Sequence, residues 1–323
     1  MKAIVQDTYG SPDLLELRDI NKPVIADNEV LVAVRAAAVN PPDWAAVTGV
    51  PYIARLAFGL RKPRNVVRGS DVAGSVEAVG KNVTRLQVGD EVFGSGKGTF
   101  AEYAVAAEKN LVTKPANITF EQAAAVPMAG LVALQALRSY GKVQPGQKVL
   151  VNGAGGGIGT VAIQIAKSFG AEVTGVCATT KVDLVASIGA DHVIDYTQED
   201  FTQGNERYDL ILDNVCKHSL SHLRRALTPK GTLVPNGGRF DKRLLANAPV
   251  LLIEAPLMSL VVAQSIRTIK LAPNQNDWLA LRELLESGKV TPFIGRTYPL
   301  SQTRQALGYF GQGHARGKIV ITM

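Results

Sequence analysis

The run Lys148-Val149-Leu150-Val151-Asn152-Gly153-Ala154-Gly155-Gly156-Gly157-Ile158-Gly159 decides the fold. Its first five residues are apolar at the centre and β-branched, which predicts a buried strand over 148–152. A glycine-rich loop follows at once. Ile158, Val161, Ala162, Ile165, Ala166 and Phe169 then recur at the spacing of one helix face. A second strand-like run, Glu172-Val173-Thr174-Gly175-Val176-Cys177, comes next. Glycine in such a loop permits a tight turn, close approach of a diphosphate, and packing of helix on strand. The helix start presents free N–H groups and a partial positive charge to that anion. Gly153, Ala154, Gly155, Gly156, Gly157 and Ile158 are therefore the candidate cradle for a dinucleotide. No Lys-Ser or Lys-Thr pair follows, which excludes a triphosphate loop.

Working outward, strands and helices alternate from about 122 to 265. Glu121 to Leu137 reads as an Ala-rich helix, and Lys181 to Ile188 as a helix ended by Gly189. His192 to Tyr196, Tyr208 to Asp213 and Gly231 to Pro235 read as further strands. This alternation predicts an α/β doubly wound parallel sheet. Residues 1 to about 120 differ. Glu29 to Arg35, Gly74 to Gly80, Asp90 to Gly94 and Ala101 to Val105 are short β-type runs at close spacing, which predicts an antiparallel, barrel-like unit. The tail holds a helix at Asp277 to Ser287 and a strand at Lys318 to Ile321, which can return to the first unit's sheet.

With 323 residues, the chain is long enough for two domains with real cores. Its 46% hydrophobic and 20% charged composition is that of a globular protein. The net charge of +7 favours anionic partners. The densest basic cluster, Arg61-Lys62-Pro63-Arg64 with Arg68, is short and reads as a solvated loop, so neither DNA nor RNA is the expected partner. The apolar stretch Pro249 to Ala263 is broken by Glu254 and Pro256 and is too short to span a bilayer. It reads as buried helix, pocket wall or subunit contact. Cys177 and Cys216 form no Cys-x-x-Cys pair, and the N-terminal residues lack a signal-peptide apolar core. A reducing, cytoplasmic location is expected.

Enzymes that use NAD place a carboxylate at the end of the second strand, on the ribose hydroxyls. Here that strand ends in Ala178-Thr179-Thr180-Lys181, with no carboxylate before Asp183. A lysine and hydroxyls suit a 2′-phosphate, so NADP(H) is the expected cofactor, with Thr179 and Lys181 as its ligands. Tyr196, at the end of the third strand, adds a phenolic donor beside the adenosine.

Several further stretches resemble the medium-chain dehydrogenase/reductase superfamily: Gly69 to Gly80, Val88 to Val92, Pro127 to Leu137, the glycine loop, and Gly313 to Val320. The nearest resemblance is to its zinc-free quinone-oxidoreductase-like branch. It implies a GroES-like β-barrel at 1–122, an inserted Rossmann NADP-binding domain at 123–265, and a return to the barrel at 266–323, with the active site between them. In the zinc-dependent branch a Gly-His-Glu motif carries a ligand; here it reads Gly69-Ser70-Asp71, and the other ligand cysteines fall near Asn40 and Ala125. Two isolated cysteines with His192, His218, His222 and His314 do not build a zinc site, so no metal is expected. Without a Lewis acid the acceptor must take hydride readily, as quinones and α,β-unsaturated carbonyls do. The resemblance assigns Asn40 and Asp43 to the nicotinamide border; the residues alone read equally as a capped turn. Tyr52 is read either as a donor to a carbonyl oxygen or as a packing residue. Asn236 and Gly237 follow the fifth strand, where the nicotinamide end should rest. Val132 stands where the family often has threonine, which removes one polar contact to that half. The leading expectation is a zinc-independent NADPH-dependent quinone or enone reductase, working by orientation with the proton from solvent. The alternative is a non-catalytic nucleotide- or RNA-binding protein on the same fold. A homodimer through the sheet edge near residues 233–265 and a monomer are both compatible with the sequence.

Overall fold

The computed structural model describes residues 1–237 and 263–323. Two sheets organise them. The first is six-stranded and wholly parallel, in the order His192–Asp195, Glu172–Cys177, Lys148–Asn152, Tyr208–Asp213, Leu227–Pro235 and Ser265–Ile266. The order doubles back at Lys148–Asn152, the doubly wound arrangement in which ligands bind at the carboxyl ends of the strands. Its central strands are continuous runs of Val, Leu and Ile because helices cover both faces. Val149, Leu150, Val151, Leu210, Ile211 and Leu212 are all buried.

The second sheet has seven strands and is antiparallel except at one pair. Its long strand Glu29–Ala38 pairs with Asp71–Val79 along one edge, and with Tyr103–Ala107 and Lys318–Thr322 along the other. Glu91–Ser95 and Leu111–Thr113 continue it at one end, and Ile294–Pro299 pairs parallel with Lys318–Thr322 at the other. The last strand of the chain thus closes onto Glu29–Ala38, Val320 facing Ala38. Small residues at Ala36, Ala37, Ala38, Ala73 and Gly74 let the strands and the covering helices come close.

Between the sheets lie Phe120–Ala124, Pro127–Leu134 and the helix Gln275–Glu286. They carry one continuous apolar core from Ala38, Ala73 and Phe93 through Leu131, Leu134, Trp278 and Leu281 to Val149, Val161 and Ile165. The sequence predicts one helix over 121–137. The structure breaks it at Pro127, which has no N–H to donate and so opens a new helix at its first position. The chain then continues as a π-helix over Gln135–Tyr140. The strand expected from Gly231 begins earlier, at Leu227. Of the apolar stretch 249–263, all but Ala263 lies outside the described residues. Among the described residues no helix is long and apolar enough to cross a membrane.

Candidate active site

The glycine loop joins the strand Lys148–Asn152 to the helix Gly157–Ser168. Gly153 takes φ 79°, a left-handed conformation that glycine adopts without strain, and the Gly153 and Ala154 N–H groups donate to the Val176 carbonyl at 3.1 and 2.9 Å. A Cβ on Gly159 would stand 2.2 Å from the Gly153 carbonyl oxygen, so the helix packs onto its own loop only through glycine. Gly157 and Ile158 occupy the first helical turn, where N–H groups have no intrahelical acceptor. This cradle fits a diphosphate.

Thr179–Lys181 forms a single 3-10 turn after the strand Glu172–Cys177, and the helix begins at Val182. The Lys181 stem crosses Gly155, where a Cβ would meet Lys181 Cδ at 2.6 Å. Its Nζ donates to the Ala315 carbonyl at 2.7 Å. Burial, with the Arg316 charge adding to it, holds this ammonium below the ordinary lysine range. Two cations therefore converge at this end of the loop. Thr179 Oγ1 donates to Asp195 Oδ2 at 2.5 Å, so its one hydroxyl hydrogen is already engaged. The Tyr196 N–H bonds the Cys177 carbonyl at 3.0 Å, which sets its exposed ring beside the end of the same strand.

At the carboxyl ends of the central strands a second network forms. Asn152 Nδ2 donates to the buried Asp213 Oδ1 at 2.8 Å, and the Val215 and Cys216 N–H groups donate to the same oxygen. Asn214 Nδ2 donates to the Asn152 carbonyl at 3.1 Å, and Asn236 Nδ2 to Asn214 Oδ1 at 2.8 Å. Gly237 passes so close that a Cβ would lie 2.6 Å from the Asn214 carbonyl oxygen. Burial pushes the Cys216 thiol up to about 12 and that of Cys177 up to about 11, so neither is a thiolate nucleophile at neutral pH.

The barrel contributes a buried charged cluster. Asn40 precedes the helix Pro41–Thr48 and is 2% exposed; its N–H donates to Asp43 Oδ2 at 2.9 Å. Ser70 Oγ donates to Asp43 Oδ1 at 3.5 Å. Asp71, fully buried, accepts from the Met128 N–H at 3.1 Å. Lys318 Nζ donates to Asn40 Oδ1 at 2.6 Å and to the Val39 carbonyl and Asp71 Oδ2 at 3.4 Å each. Burial, and next the charge of Asp71, push the Asp43 carboxyl up to about 7. Burial also raises Asp71, against the pull of Lys318.

Asn40 and Asp43 thus fall in one hydrogen-bonded cluster, and Asn236 and Gly237 in another. Tyr52 joins neither among the described residues; it stands on a 3-10 turn with the Arg55 guanidinium 4.9 Å from its ring centroid. Val132 is buried in the helix Pro127–Leu134. Sequence reasoning passed over Lys318, Arg316 and the buried Asp213. The one available signal for Lys318 was a charged residue at the head of an apolar strand, and for Asp213 a charged residue at the end of one. Among the described residues no three His, Cys, Asp or Glu side chains converge as a metal site.

Comparison with known proteins agrees with this architecture. Residues 26–116 match the family model described as an alcohol dehydrogenase GroES-like domain, and residues 188–321 the one described as a zinc-binding dehydrogenase. The chain is 34% identical over 341 residues to the 2-methylene-furan-3-one reductase of Solanum lycopersicum, covering 99% of this chain and 79% of that protein. It is 33% identical to the chloroplastic NADPH-dependent alkenal/one oxidoreductase of Arabidopsis thaliana, with the same coverage of 99% and 79%. Among solved structures, the quinone oxidoreductase of Coxiella burnetii superposes with a TM-score of 0.87 at 29% identity, covering 100% of this chain and 99% of that one.

Proposed function

Because the chain belongs to the medium-chain dehydrogenase/reductase family, among its quinone oxidoreductases and enone reductases, we propose that it transfers hydride from NADPH to a quinone or an α,β-unsaturated carbonyl without a metal. One observation carries the reading. The glycine loop is crossed by two lysines, Lys181 toward the nucleotide end and Lys318 toward the barrel cluster, where the zinc-dependent branch keeps its ligands.

NADPH, when bound, supplies the hydride. The first-turn N–H groups at Gly157 and Ile158 hold the diphosphate. Lys181, with Arg316 beside it, holds the 2′-phosphate, and Thr179 and Tyr196 border the adenosine. Asn236 and Gly237 carry the nicotinamide end, above the Asn152–Asp213–Asn214 network. Asn40 and Asp43 form the opposite wall and orient the acceptor. The proton that follows the hydride is taken, in this reading, from solvent. The model described as zinc-binding matches only residues 188–321; at the ligand positions implied by the resemblance stand Asn40, Ser70 and Ala125, none of which is an ordinary zinc ligand.

The same reading divides the chain at 1–122, 123–265 and 266–323, supported by sheet membership; the second boundary falls inside the strand Ser265–Ile266. Among the described residues that strand is the outermost of the parallel sheet, and a homodimer through this side and a monomer are both compatible with the reading. Two free cysteines support a reducing, cytoplasmic setting. The test is steady-state NADPH oxidation against benzoquinones, naphthoquinones, 2-alkenals and cyclic enones. Turnover with one of these classes is expected; nucleotide binding without turnover of any acceptor would point instead to a sensing or RNA-binding role.

A further inference from the structure

The Lys318 side chain joins the glycine loop to the barrel cluster. The Gly317 N–H donates to the Gly155 carbonyl at 2.9 Å, and Gly317 pairs with Gly156 as a parallel bridge. The Lys318 stem then lies on Gly157, where a Cβ would be 2.7 Å from Lys318 Cδ. Its side chain is 5% exposed, and its three N–H donors meet three acceptors: Asn40 Oδ1, the Val39 carbonyl and Asp71 Oδ2. The shortest of the three, 2.6 Å, goes to Asn40 Oδ1. An amide has an oxygen end and an NH2 end, and it can be reversed with little change of shape. The ammonium removes that freedom, because only the oxygen can accept from it. The Asn40 NH2 is thereby turned the other way, and it donates to the Ala38 carbonyl at 3.2 Å.

Resting on the reductase reading, we propose that Lys318 is a positioning residue for hydride transfer: its ammonium fixes the orientation of the Asn40 amide, while its stem ties that amide to the glycine loop. The fixed amide is one wall of the site, and the loop sets the position of the cofactor. A single side chain therefore holds both reacting partners in register. A misplacement of about 1 Å lowers turnover on the order of 100-fold. The charge of the ammonium also stands against the buried Asp71 carboxyl, so a purely structural role must be separated from positioning.

Four variants make the separation: Lys318→Met, Lys318→Met with Asp71→Asn, Asn40→Ala, and Lys318→Met with Asn40→Ala. Methionine keeps the stem on Gly157 and removes the ammonium. Adding Asp71→Asn removes the carboxylate that would be left unpaired, while its amide oxygen still accepts from Met128 N–H. The expected result for the Lys318→Met, Asp71→Asn protein is a melting temperature near wild type, NADPH affinity by fluorescence titration within about threefold, and a kcat lower by roughly 10- to 100-fold. Lys318→Met with Asn40→Ala should be no slower than the slower of its two parents, because both changes remove one interaction. The Asn40 side-chain amide resonance, read by 15N NMR without cofactor or acceptor, should move in Lys318→Met. Full kcat in a folded Lys318→Met, Asp71→Asn protein, losses that multiply in the Asn40→Ala pair, or an unmoved Asn40 resonance would each overturn the proposal. A weakened NADPH affinity at unchanged kcat would make Lys318 a cofactor ligand instead. The NMR arm needs no turnover, so it stands apart from failure of the reductase reading, which would appear as inactive wild type.

Discussion

Replacing Asp43 with asparagine isolates the electrostatic state of the barrel cluster. The carboxyl is 4% exposed, and burial followed by the Asp71 charge pushes it from 3.8 up to about 7. The folded protein therefore holds this proton more tightly than the unfolded chain does. A carboxyl raised in this sense stabilises the fold only while it is protonated; the contribution falls as pH rises from about 4 to about 7 and is flat above that. The gap between 3.8 and about 7 corresponds to about 4 kcal/mol over the whole window, somewhat more than half of it between about pH 5 and pH 8. Asparagine keeps an oxygen to accept from the Asn40 N–H, the bond now made by Asp43 Oδ2 at 2.9 Å, and does not titrate. Urea unfolding at constant ionic strength, followed by fluorescence at several pH values, should give a wild-type stability that drops across this window. The Asp43→Asn profile should be flatter by about 2 to 3 kcal/mol, with the coupled Asp71 carboxyl then titrating without a charged neighbour at position 43. Parallel profiles for the two proteins would refute the claim that burial and Asp71 together govern Asp43.

Lys181→Ala should raise the Michaelis constant for NADPH about 10- to 100-fold and leave that for NADH nearly unchanged, as expected for loss of one charge-assisted contact; equal effects on both would remove the 2′-phosphate assignment. Gly159→Ala places a Cβ 2.2 Å from the Gly153 carbonyl oxygen, so the loop must shift. NADPH affinity measured by fluorescence should fall at least about tenfold, and wild-type affinity would mean the loop is not the cradle. Asp277, 2% exposed, accepts from Gln135 Nε2 at 2.6 Å and pairs with Arg138. Asp277→Ala should cost about 2 kcal/mol in urea unfolding, because a buried amide and a half-exposed guanidinium lose their acceptor; a loss below about 0.5 kcal/mol would contradict that reading.

The strands at 148–152, 172–177 and 208–213 are legible to the residue because each is a short run rich in Val, Leu or Ile and buried on both faces, the first and third closed by asparagine and aspartate. The glycine loop was legible for the same reason, since strand, loop and helix are contiguous. The charged cluster was not. Lys318 and Asn40 are 278 residues apart, and only the return of the last strand onto Glu29–Ala38 brings them together. In the sequence Lys318 looks like the ordinary first residue of a strand, and Asp71 lies three residues before the run Gly74 to Gly80, although the strand in fact begins at Asp71. Thr179 was read as a phosphate donor from its place in the chain. Its engagement with Asp195 depends on the pairing of Glu172–Cys177 with His192–Asp195, which fixes the distance between strand ends. The helix break at Pro127 was readable in principle. The high helix propensity of the flanking alanines masked it, although a missing backbone donor outweighs a few tenths of a kilocalorie per residue.

The proposed hydride transfer from NADPH needs no metal. It is tested most directly by steady-state NADPH oxidation with quinone and enone acceptors, using protein dialysed against a strong chelator and assayed beside an untreated sample. Equal turnover in the two samples and a clear preference for NADPH over NADH are expected. Activity lost on chelation and restored by added zinc would contradict the proposal.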